Sequence, residues 1–219
     1  MPRAETTAER RAAILAAAIR VLARDGLAAT TTRKIAAAAG VNQAMLGYYF
    51  GGKDELLFEV LRTMMQATES VAREALPPGT APQEAIAAGI RAFWAQVEAA
   101  PELQVMQYEL TLYALRRPAS AWLAQRQYAG YVAVVETLFR AAYAAAGESC
   151  ALAYDEAARF VVGGLDGVIL QFVSDRNLAR ARRDLEHLIA AICALASGQA
   201  ASIAQREAAA RHPVEGGRR

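Results

Sequence analysis

The sequence has few of the residues that carry enzyme chemistry or bind metal ions. Its 219 residues include two cysteines and two histidines. Cys150 and Cys193 lack the spacing of metal ligands, so we expect reduced, structural thiols in a cytoplasmic chain. Neither His187 nor His212 follows a glutamate by three positions, as the histidines of a di-iron bundle do, and Asp184 with His187 is expected to be a solvated pair. The sequence therefore predicts no catalytic residues, no bound metal and no cofactor.

Long apolar runs and nucleotide-binding glycine motifs are missing as well. No stretch of 18 apolar residues occurs, which argues against a transmembrane helix. The charged start, MPRAETTAERR, lacks the apolar segment of a signal peptide, so we expect none. No P-loop, dinucleotide-binding pattern or nucleophile elbow is present. These absences make a helical enzyme the weakest of the possible functions.

Alanine, in contrast, is abundant. The chain holds 53 alanines and is 55% hydrophobic. Alanine is the best helix former but fills little core volume. The larger apolar residues that remain are an ordinary supply for a helical core, strand formers do not alternate, and the prolines lie at apparent segment ends. This composition predicts an all-α fold.

Charge is distributed unevenly along the chain. The net charge is +2, but residues 1–53 carry eight Lys/Arg against three Asp/Glu, and both lysines lie there. This segment is therefore +5 and the remainder −3. A basic segment on a mildly acidic body indicates a polyanionic partner for that segment.

The first 52 residues have the pattern of three helices. Thr6 and Glu9 are spaced as a capping box at the start of the first. Two short helices joined by a glycine turn, behind a longer helix, form the helix-turn-helix plan. Thr31 or Thr32 and then Asn42 are expected to cap the starts of the second and third helices. The three helices are expected to end at Gly26, Gly40 and Gly51, of which Gly26 and Gly40 are expected to be left-handed.

The third of these helices, residues 42–50, has a face suited to DNA. Leu46 and Phe50 lie one turn apart and are expected to face the core. The other face offers Gln, Ala, Met and Tyr side chains close to basic residues, a combination that fits a major groove. The outward set is Gln43, Ala44, Met45 and Tyr48, near Arg33, Lys34 and Lys53.

Residues 30–57, TTTRKIAAAAGVNQAMLGYYFGGKDELL, resemble the DNA-binding signature of the TetR family of bacterial transcription regulators. The likeness spans nearly thirty residues without a gap, which is more specific than a generic helix-turn-helix. It implies a DNA-binding domain over 1–52 and a helical effector-binding and dimerisation domain over 53–212. Residues 213–219, from the last proline onward, are expected to be a disordered tail. Many members carry a phosphate-binding tyrosine where this chain has Gly47, which leaves Tyr48 or Tyr49 to take over that contact.

The resemblance also implies roles in DNA binding. Thr32, Tyr49 and Lys53 are expected to contact phosphates. Glutamine pairs with adenine, arginine with guanine, and alanine or methionine methyl groups can touch the thymine methyl. The residues expected to approach base edges are Arg33, Gln43, Ala44, Met45 and Tyr48.

The rest of the chain divides at prolines and glycines into further helices. We expect them over 53–76, about 82–100, 101–117, 118–146, 154–175 and 179–197, so that the chain has about nine helices. Nine helices with three small ones first again resemble the TetR architecture.

Family members pair through their last two helices in a four-helix bundle. The 155–175 helix has an apolar surface too wide for one neighbour, and glycines four apart allow close backbone approach. The alternative is that these residues complete only the chain's own core. The predicted dimer interface is Gly163, Gly167, Leu185, Leu188 and Ile192.

Regulators of this family usually hold a small molecule between the helices of the body. Polar-tipped aromatics among apolar residues suit such a cavity, although each is also an ordinary core residue. Glu109 and Asp166 stand out because a carboxylate inside a bundle must be paired or bind something; Arg126 or Arg159 could be the partner. The other candidates are Phe93, Trp94, Met106, Tyr108, Tyr113, Trp122, Tyr128, Gln171 and Phe172.

These observations predict a homodimeric, ligand-responsive DNA-binding regulator, most simply a repressor that a small-molecule effector releases from a palindromic operator. An activator would use the same DNA-binding head. A helical adaptor that binds only protein is the alternative from another class, and absence of DNA binding at low salt would favour it.

Overall fold

A computed structural model describes residues 6–74 and 79–199. This part of the chain has nine α-helices, one short 3₁₀ turn at Pro118–Ser120 and no strand, which confirms the all-α prediction. The helices are α1 Thr7–Ala29, α2 Thr32–Ala39, α3 Gln43–Phe50, α4 Lys53–Glu74, α5 Pro82–Ala99, α6 Pro101–Leu115, α7 Ala121–Ala146, α8 Tyr154–Asp175 and α9 Leu178–Ala196. The expected tail at 213–219 and the last residues of the expected 53–76 helix lie outside the described residues.

The chain folds into two compact units. Among the described residues, the first comprises 6–72 and 92–134, and the second comprises 73–74, 79–91 and 135–199. The first unit therefore joins the three N-terminal helices to most of α4, the last part of α5, α6 and the first half of α7. The functional boundaries at residues 52 and 212 remain predictions.

The start of α1 and its end are fixed by local polar contacts. The Thr6 backbone N–H donates to Glu9 Oε2 at 2.7 Å and the Glu9 N–H donates to Thr6 Oγ1 at 3.2 Å, which is the predicted capping box. Gly26 breaks the helix with φ 74° and ψ 165°. This is a positive-φ extended conformation and not the left-handed helical one that the sequence predicted, so only glycine fits there without strain.

The turn between α2 and α3 follows the predicted chemistry closely. Thr31 caps α2, because its side chain accepts from the Lys34 N–H. Gly40 ends α2 in the left-handed conformation, with φ 67° and ψ 28°. The Asn42 side chain then caps α3 by accepting from the Ala44 N–H at 3.0 Å.

The core of the first unit holds α3 in place from beneath. Leu46 is 4% exposed and Phe50 is 7% exposed, which confirms that both face inward. They join a buried cluster with Leu22 of α1, Leu57 of α4 and Leu110 of α6. Burying side chains of this size stabilises the fold by roughly 1.5–3 kcal/mol each.

The second unit is built around the pair α8 and α9. Buried apolar residues line the facing sides of both helices, and the backbone of α8 comes close to α9 at Gly164, where an added Cβ would collide with Leu188 Cδ1. By length and composition alone, α8 is apolar enough to cross a membrane. Part of that apolarity serves this core, since Val161, Leu165 and Ile169 are buried in it.

Candidate DNA-binding interface

The outer face of α3 carries exposed side chains above the buried Leu46 and Phe50. Gln43 and Ala44 are exposed, and Tyr48 keeps 82% of its surface accessible. Met45 is half-buried. Among the exposed large hydrophobic side chains of the described residues, that of Tyr48 is the most exposed.

Tyr49, the predicted phosphate contact on α3, is only half-exposed. Its ring packs against the core cluster of the first unit and meets Tyr48 edge to face, with 5.2 Å between centroids. Core packing therefore fixes the Tyr49 ring, whereas Tyr48 extends into solvent.

An open depression of about 360 Å³ lies beside α3. The sequence-predicted residues Thr32, Gln43 and Lys53 line it, together with Gly47 and Gly52. A Cβ built on Gly47 would meet no atom within 4 Å, so the absence of a side chain there leaves the depression open. Ala44, Leu46 and Leu56 complete the lining.

Two of these residues are hydrogen-bonded to each other. Gln43 Nε2 donates to Thr32 Oγ1 at 3.0 Å and so links the first residue of α3 to the first residue of α2. The Thr32 hydroxyl is not needed as a helix cap, because Thr31 performs that role.

The basic side chains of this surface differ in their surroundings. Arg33 and Lys53 are exposed. Lys34 Nζ lies 3.1 Å from Asp25 Oδ2, and Arg24 Nε lies 2.6 Å from Asp25 Oδ1. Hydrogen bonds from these two cations hold the pKa of Asp25 well below its usual range. The Asp25 carboxylate, which is already counted in the +5 charge of residues 1–53, pairs with Arg24 and Lys34, so Arg33 and Lys53 are the better candidates for DNA contacts.

The start of α4, which carries Lys53, is supported by the region after α6. Tyr113 Oη donates to Asp54 Oδ1 at 2.9 Å, and Ser120 Oγ donates to Asp54 Oδ2 at 2.5 Å. Lys53 Nζ lies 5.4 Å from the centroid of the Tyr113 ring. Burial, together with the hydrogen bond to Asp54, raises the pKa of Tyr113. Tyr113, predicted to bind an effector, instead supports the N-terminus of α4.

Glu109 also has a role that the sequence did not predict. Its Oε2 accepts from the Leu27 backbone N–H at 2.6 Å, and its Oε1 lies 3.3 Å from where a Gly26 Cβ would be. The carboxylate thus supports the break at Gly26, near the end of α1. The two arginines that the sequence offered as possible partners do not hold Glu109: Arg126 stacks on Trp122 and Phe58, and Arg159 pairs with Asp155.

The remaining effector candidates fall on both units, and several have structural roles. In the first unit, Met106 is 1% exposed within the core, Trp122 meets the Phe58 ring and the Trp94 indole N–H donates to Glu98. These three are ordinary core residues. Four further effector candidates are half-buried: Phe93, Tyr108 and Tyr128 in the first unit and Asp166 in the second. Phe172 is buried, and the exposed Gln171 accepts from Arg180.

A polar chain between α6 and α7 was missed by the sequence analysis. Thr111 Oγ1 donates to Gln127 Oε1 at 2.9 Å, Gln127 Nε2 donates to Tyr131 Oη at 2.8 Å, and Tyr131 donates to Gln107. Gln127 is only 1% exposed. The signal in the sequence was a polar pair four residues apart on each helix, at 107 and 111 and at 127 and 131.

The predicted dimer residues separate into two groups. Leu185 and Ile192 are each 2% exposed and belong to the core of the second unit, so the prediction that they face a partner chain is corrected. Their helix face is the one that α9 turns toward α8. Gly163 and Gly167 are exposed, and a Cβ on either would meet nothing within 4 Å. Leu188 is half-buried against Gly164.

Two sequence-family profiles match the chain. The profile described as "Bacterial regulatory proteins, tetR family" matches residues 14–60, which include α2 and α3. The profile described as "Tetracyclin repressor-like, C-terminal domain" matches residues 81–195. The chain belongs to the TetR family. This TetR-family protein is therefore a ligand-responsive, DNA-binding transcriptional regulator, and α2 and α3 are its helix-turn-helix.

Its relatives include named transcriptional regulators. It is 30% identical over 187 residues to HdnoR of Paenarthrobacter nicotinovorans, an HTH-type nicotine-responsive transcriptional repressor; the match covers 84% of this chain and 94% of HdnoR. It is 34% identical over 102 residues to the HTH-type transcriptional regulator BetI of Rhizobium meliloti strain 1021, covering 47% of this chain and 50% of BetI.

Solved structures of similar fold agree with the family. The multidrug binding protein EbrR, complexed with imidazole, is 28% identical with a TM-score of 0.59, and the match covers 86% of this TetR-family chain and 92% of EbrR. FadR of Bacillus subtilis, in complex with stearoyl-CoA, is 19% identical with a TM-score of 0.64, and the match covers 85% of this chain and 98% of FadR. The likeness to FadR is one of fold alone.

Proposed function

We propose that this regulator is a homodimeric, cytoplasmic repressor, without enzymatic activity, that leaves a palindromic operator when a small molecule binds its body. The observation that supports DNA binding best is the outer face of α3. It combines the 82% exposed Tyr48 with an open depression lined by Thr32 and Lys53. An exposed aromatic beside a hydroxyl and an ammonium group suits a groove bordered by phosphates.

The contacts with DNA divide into two classes. We assign phosphate contacts to Thr32, Tyr49 and Lys53, because hydroxyl and ammonium donors bind phosphate oxygens without regard to sequence. Base edges are approached by Arg33 and by the exposed face of α3 through Ala44, Met45 and Tyr48. Gln43 lies among these residues, but its amide nitrogen is already bonded to Thr32, which changes the role that we infer for it.

Dimerisation is assigned to the exposed side of α8. Phe160 is 44% exposed and Leu170 is 53% exposed. Positions 160, 163, 167 and 170 share one helix face, so these two side chains flank the open glycines Gly163 and Gly167. Bulky apolar residues around small ones suit close packing against the same helix of a second copy.

A two-fold dimer would read two half-sites. Half-sites of a helix-turn-helix dimer lie about one DNA turn apart, roughly 34–36 Å, or a multiple of it. The operator is therefore expected to be an inverted repeat.

The effector is proposed to be a small organic molecule, and nitrogen heterocycles are the first class to screen. HdnoR is named as nicotine-responsive and EbrR was solved with imidazole. The half-buried aromatics Phe93, Tyr108 and Tyr128 offer ring faces suited to such compounds, with Asp166, Gln171 and Phe172 as further candidates. Trp94, Met106, Glu109, Tyr113 and Trp122 are not assigned, because their contacts account for them.

Within the first unit, α6 offers a route from the body to the DNA-binding helices. It holds the turn after α1 through Glu109 and the start of α4 through Tyr113. A ligand that favours a different position of α6 or α4 would therefore move the helix-turn-helix. To change occupancy from mostly bound to mostly released, it must bind the released state about 5.5 kcal/mol more tightly.

A mobility-shift titration against the DNA upstream of the protein's own gene tests this function. We expect salt-sensitive binding to one inverted repeat and release by an effector from a heterocycle screen. Transcription in vitro from the same promoter distinguishes a repressor from an activator, since a repressor lowers the transcript yield and an activator raises it. Absence of sequence-preferring binding at low salt would reject the proposal in favour of a protein-binding adaptor.

A further inference from the structure

The hydrogen bond between Gln43 and Thr32 is the starting point. A threonine hydroxyl has one donor hydrogen and two acceptor lone pairs, whereas a phosphate oxygen can only accept. Gln43 Nε2 donates to Thr32 Oγ1 at 3.0 Å, so one lone pair of that hydroxyl is occupied by an N–H group. A hydroxyl oxygen that accepts from an N–H group keeps its own hydrogen for a different partner, and donation is the role that a phosphate requires of it.

The surroundings of this pair suit a phosphate. Thr32, Gln43 and Lys53 line the same open depression of about 360 Å³, so an ammonium group borders it. The Glu55 carboxylate lies at its Gly52 end, with Oε2 2.5 Å from where a Gly52 Cβ would be. Gly47 presents no side chain to it. The backbone of a duplex can therefore reach the Thr32 hydroxyl without displacing a side chain at position 47.

We propose that Gln43 is a positioning residue for the DNA backbone: it holds the Thr32 hydroxyl as a donor to a phosphate seated in this depression. This inference rests on the proposed function and differs from the base-reading role that the sequence predicts for Gln43. A base reader changes the preferred sequence, whereas a residue that acts through a phosphate contact changes affinity for all sequences alike.

A double-mutant cycle on DNA binding separates the two roles. The variants are Gln43→Ala, Thr32→Val and the double variant, measured by fluorescence anisotropy on the operator, on operators changed one base pair at a time and on unrelated duplexes. Gln43→Ala is expected to weaken binding to every duplex by a similar factor, roughly 3- to 10-fold, as for the loss of one hydrogen bond. In the Thr32→Val background the same change is expected to have no further effect, because no hydroxyl remains to be held.

The controls distinguish loss of the Thr32 hydroxyl from loss of folding and from truncation of any exposed glutamine. Thr32→Ser keeps the hydroxyl and is expected to bind within about twofold of the wild type if the hydroxyl is what matters. Gln125→Ala, an exposed glutamine of α7, is the matched truncation away from this surface and is expected to change nothing. Circular dichroism verifies that each variant is folded.

Two results would overturn the inference. One is a loss of discrimination at a single base pair in Gln43→Ala with unchanged affinity for unrelated duplexes. The other is additive effects of Gln43→Ala and Thr32→Val. If the wild-type protein binds no duplex at all, the proposed function fails first and this inference falls with it, so the two failures are distinguishable.

Discussion

Single polar side chains connect parts of the first unit that are distant in sequence. Glu109 and Leu27 are 82 residues apart, and Ser120 and Asp54 are 66 residues apart. Both contacts join the α6 region to helix termini of the DNA-binding part. The Gly26 break leaves the Leu27 N–H to be paired by a group outside the helix, and the Glu109 carboxylate supplies that acceptor. Ser120 instead holds the Asp54 side chain in the first turn of α4.

Replacing Glu109 with alanine tests this role. The Leu27 N–H would lose its acceptor, which is expected to lower the free energy of unfolding by about 1–3 kcal/mol. Glu109→Gln keeps an oxygen acceptor of the same reach and is expected to lose less than half as much. Urea unfolding followed by circular dichroism measures both, and equal losses in the two variants would contradict the role as acceptor.

Lys53 and Arg33 should differ in the kind of DNA recognition that they support. Lys53→Ala is expected to weaken binding to all sequences alike and to reduce the slope of log K against log salt by about 1, because one phosphate contact is lost. Arg33→Ala is expected to relax the preference at one base pair, at a cost of about 1–3 kcal/mol on the operator. Anisotropy titrations at several salt concentrations measure both; a change of preferred site in Lys53→Ala would mean that the two roles are assigned wrongly.

At the scale of one element, α8 uses its faces for different purposes. One side packs against α9 at Gly164, while Phe160 and Leu170 on another side are 44% and 53% exposed and a Cβ on Gly163 or Gly167 would meet nothing within 4 Å. A glycine in a helix interior costs about 0.5–1 kcal/mol relative to alanine, so Gly164 is explained by the space that Leu188 occupies.

Gly164→Ala is expected to destabilise the fold by about 1 kcal/mol. The new methyl group displaces Leu188, and the free-energy cost of that displacement exceeds the gain in helix propensity. In a Leu188→Ala background the same change should become neutral or stabilising. Thermal unfolding of the four proteins gives the coupling. An equal effect of Gly164→Ala in both backgrounds would show that Leu188 is not the cause.

Leu170→Glu tests the exposed stripe of α8. A charge in an apolar helix interface is expected to convert a dimer into monomers without lowering the stability of the monomer, since Leu170 is 53% exposed. Leu112 of α6 is also 53% exposed, and Leu112→Glu is the matched control that should leave the dimer intact. Sedimentation velocity distinguishes the species, and a Leu170→Glu protein that remains dimeric would exclude this face.

The sequence predicts local features of this fold well and distant contacts poorly. The caps at Thr6, Thr31 and Asn42 are set by neighbouring residues, and the structure confirms them. The partner of Glu109 is a backbone amide, which no pattern of side chains reveals. The helical periodicity of α9 shows that its apolar residues share one face, but not whether that face packs against the chain's own α8 or against a second copy. The prediction that Leu185 contacts a partner chain failed for this reason.

At the scale of the whole molecule, ion pairs make stability depend on pH. The hydrogen bond from Arg62, with Arg11 adding to it, holds the pKa of Glu59 below its usual value despite partial burial. The pKa of Asp175 is likewise lowered, by the Asn177 backbone N–H and then by Arg180. Such groups stabilise the folded state fully above their unfolded pKa, about 4, and lose this contribution as pH falls through the lower folded value.

The free energy of unfolding is therefore expected to be level above about pH 5 and to fall steadily below about pH 4. Glu59→Gln removes one of the titrating groups, so it should be less stable than the wild type at pH 7 but decline less on acidification. Urea unfolding at intervals between pH 7 and pH 3 measures both curves. Parallel curves for the two proteins would rule out Glu59 as a contributor.

The hydrogen bond from Leu27 to Glu109 also provides a spectroscopic probe. A backbone N–H that donates to a carboxylate at 2.6 Å is expected to give a strongly downfield proton resonance and to exchange slowly with solvent. Because the acceptor belongs to α6 and the donor to the last residues of α1, just before α2, this one resonance reports the position of α6 relative to the helix-turn-helix. Adding candidate effectors to a ¹⁵N-labelled sample would then identify those that move α6, before any operator is known.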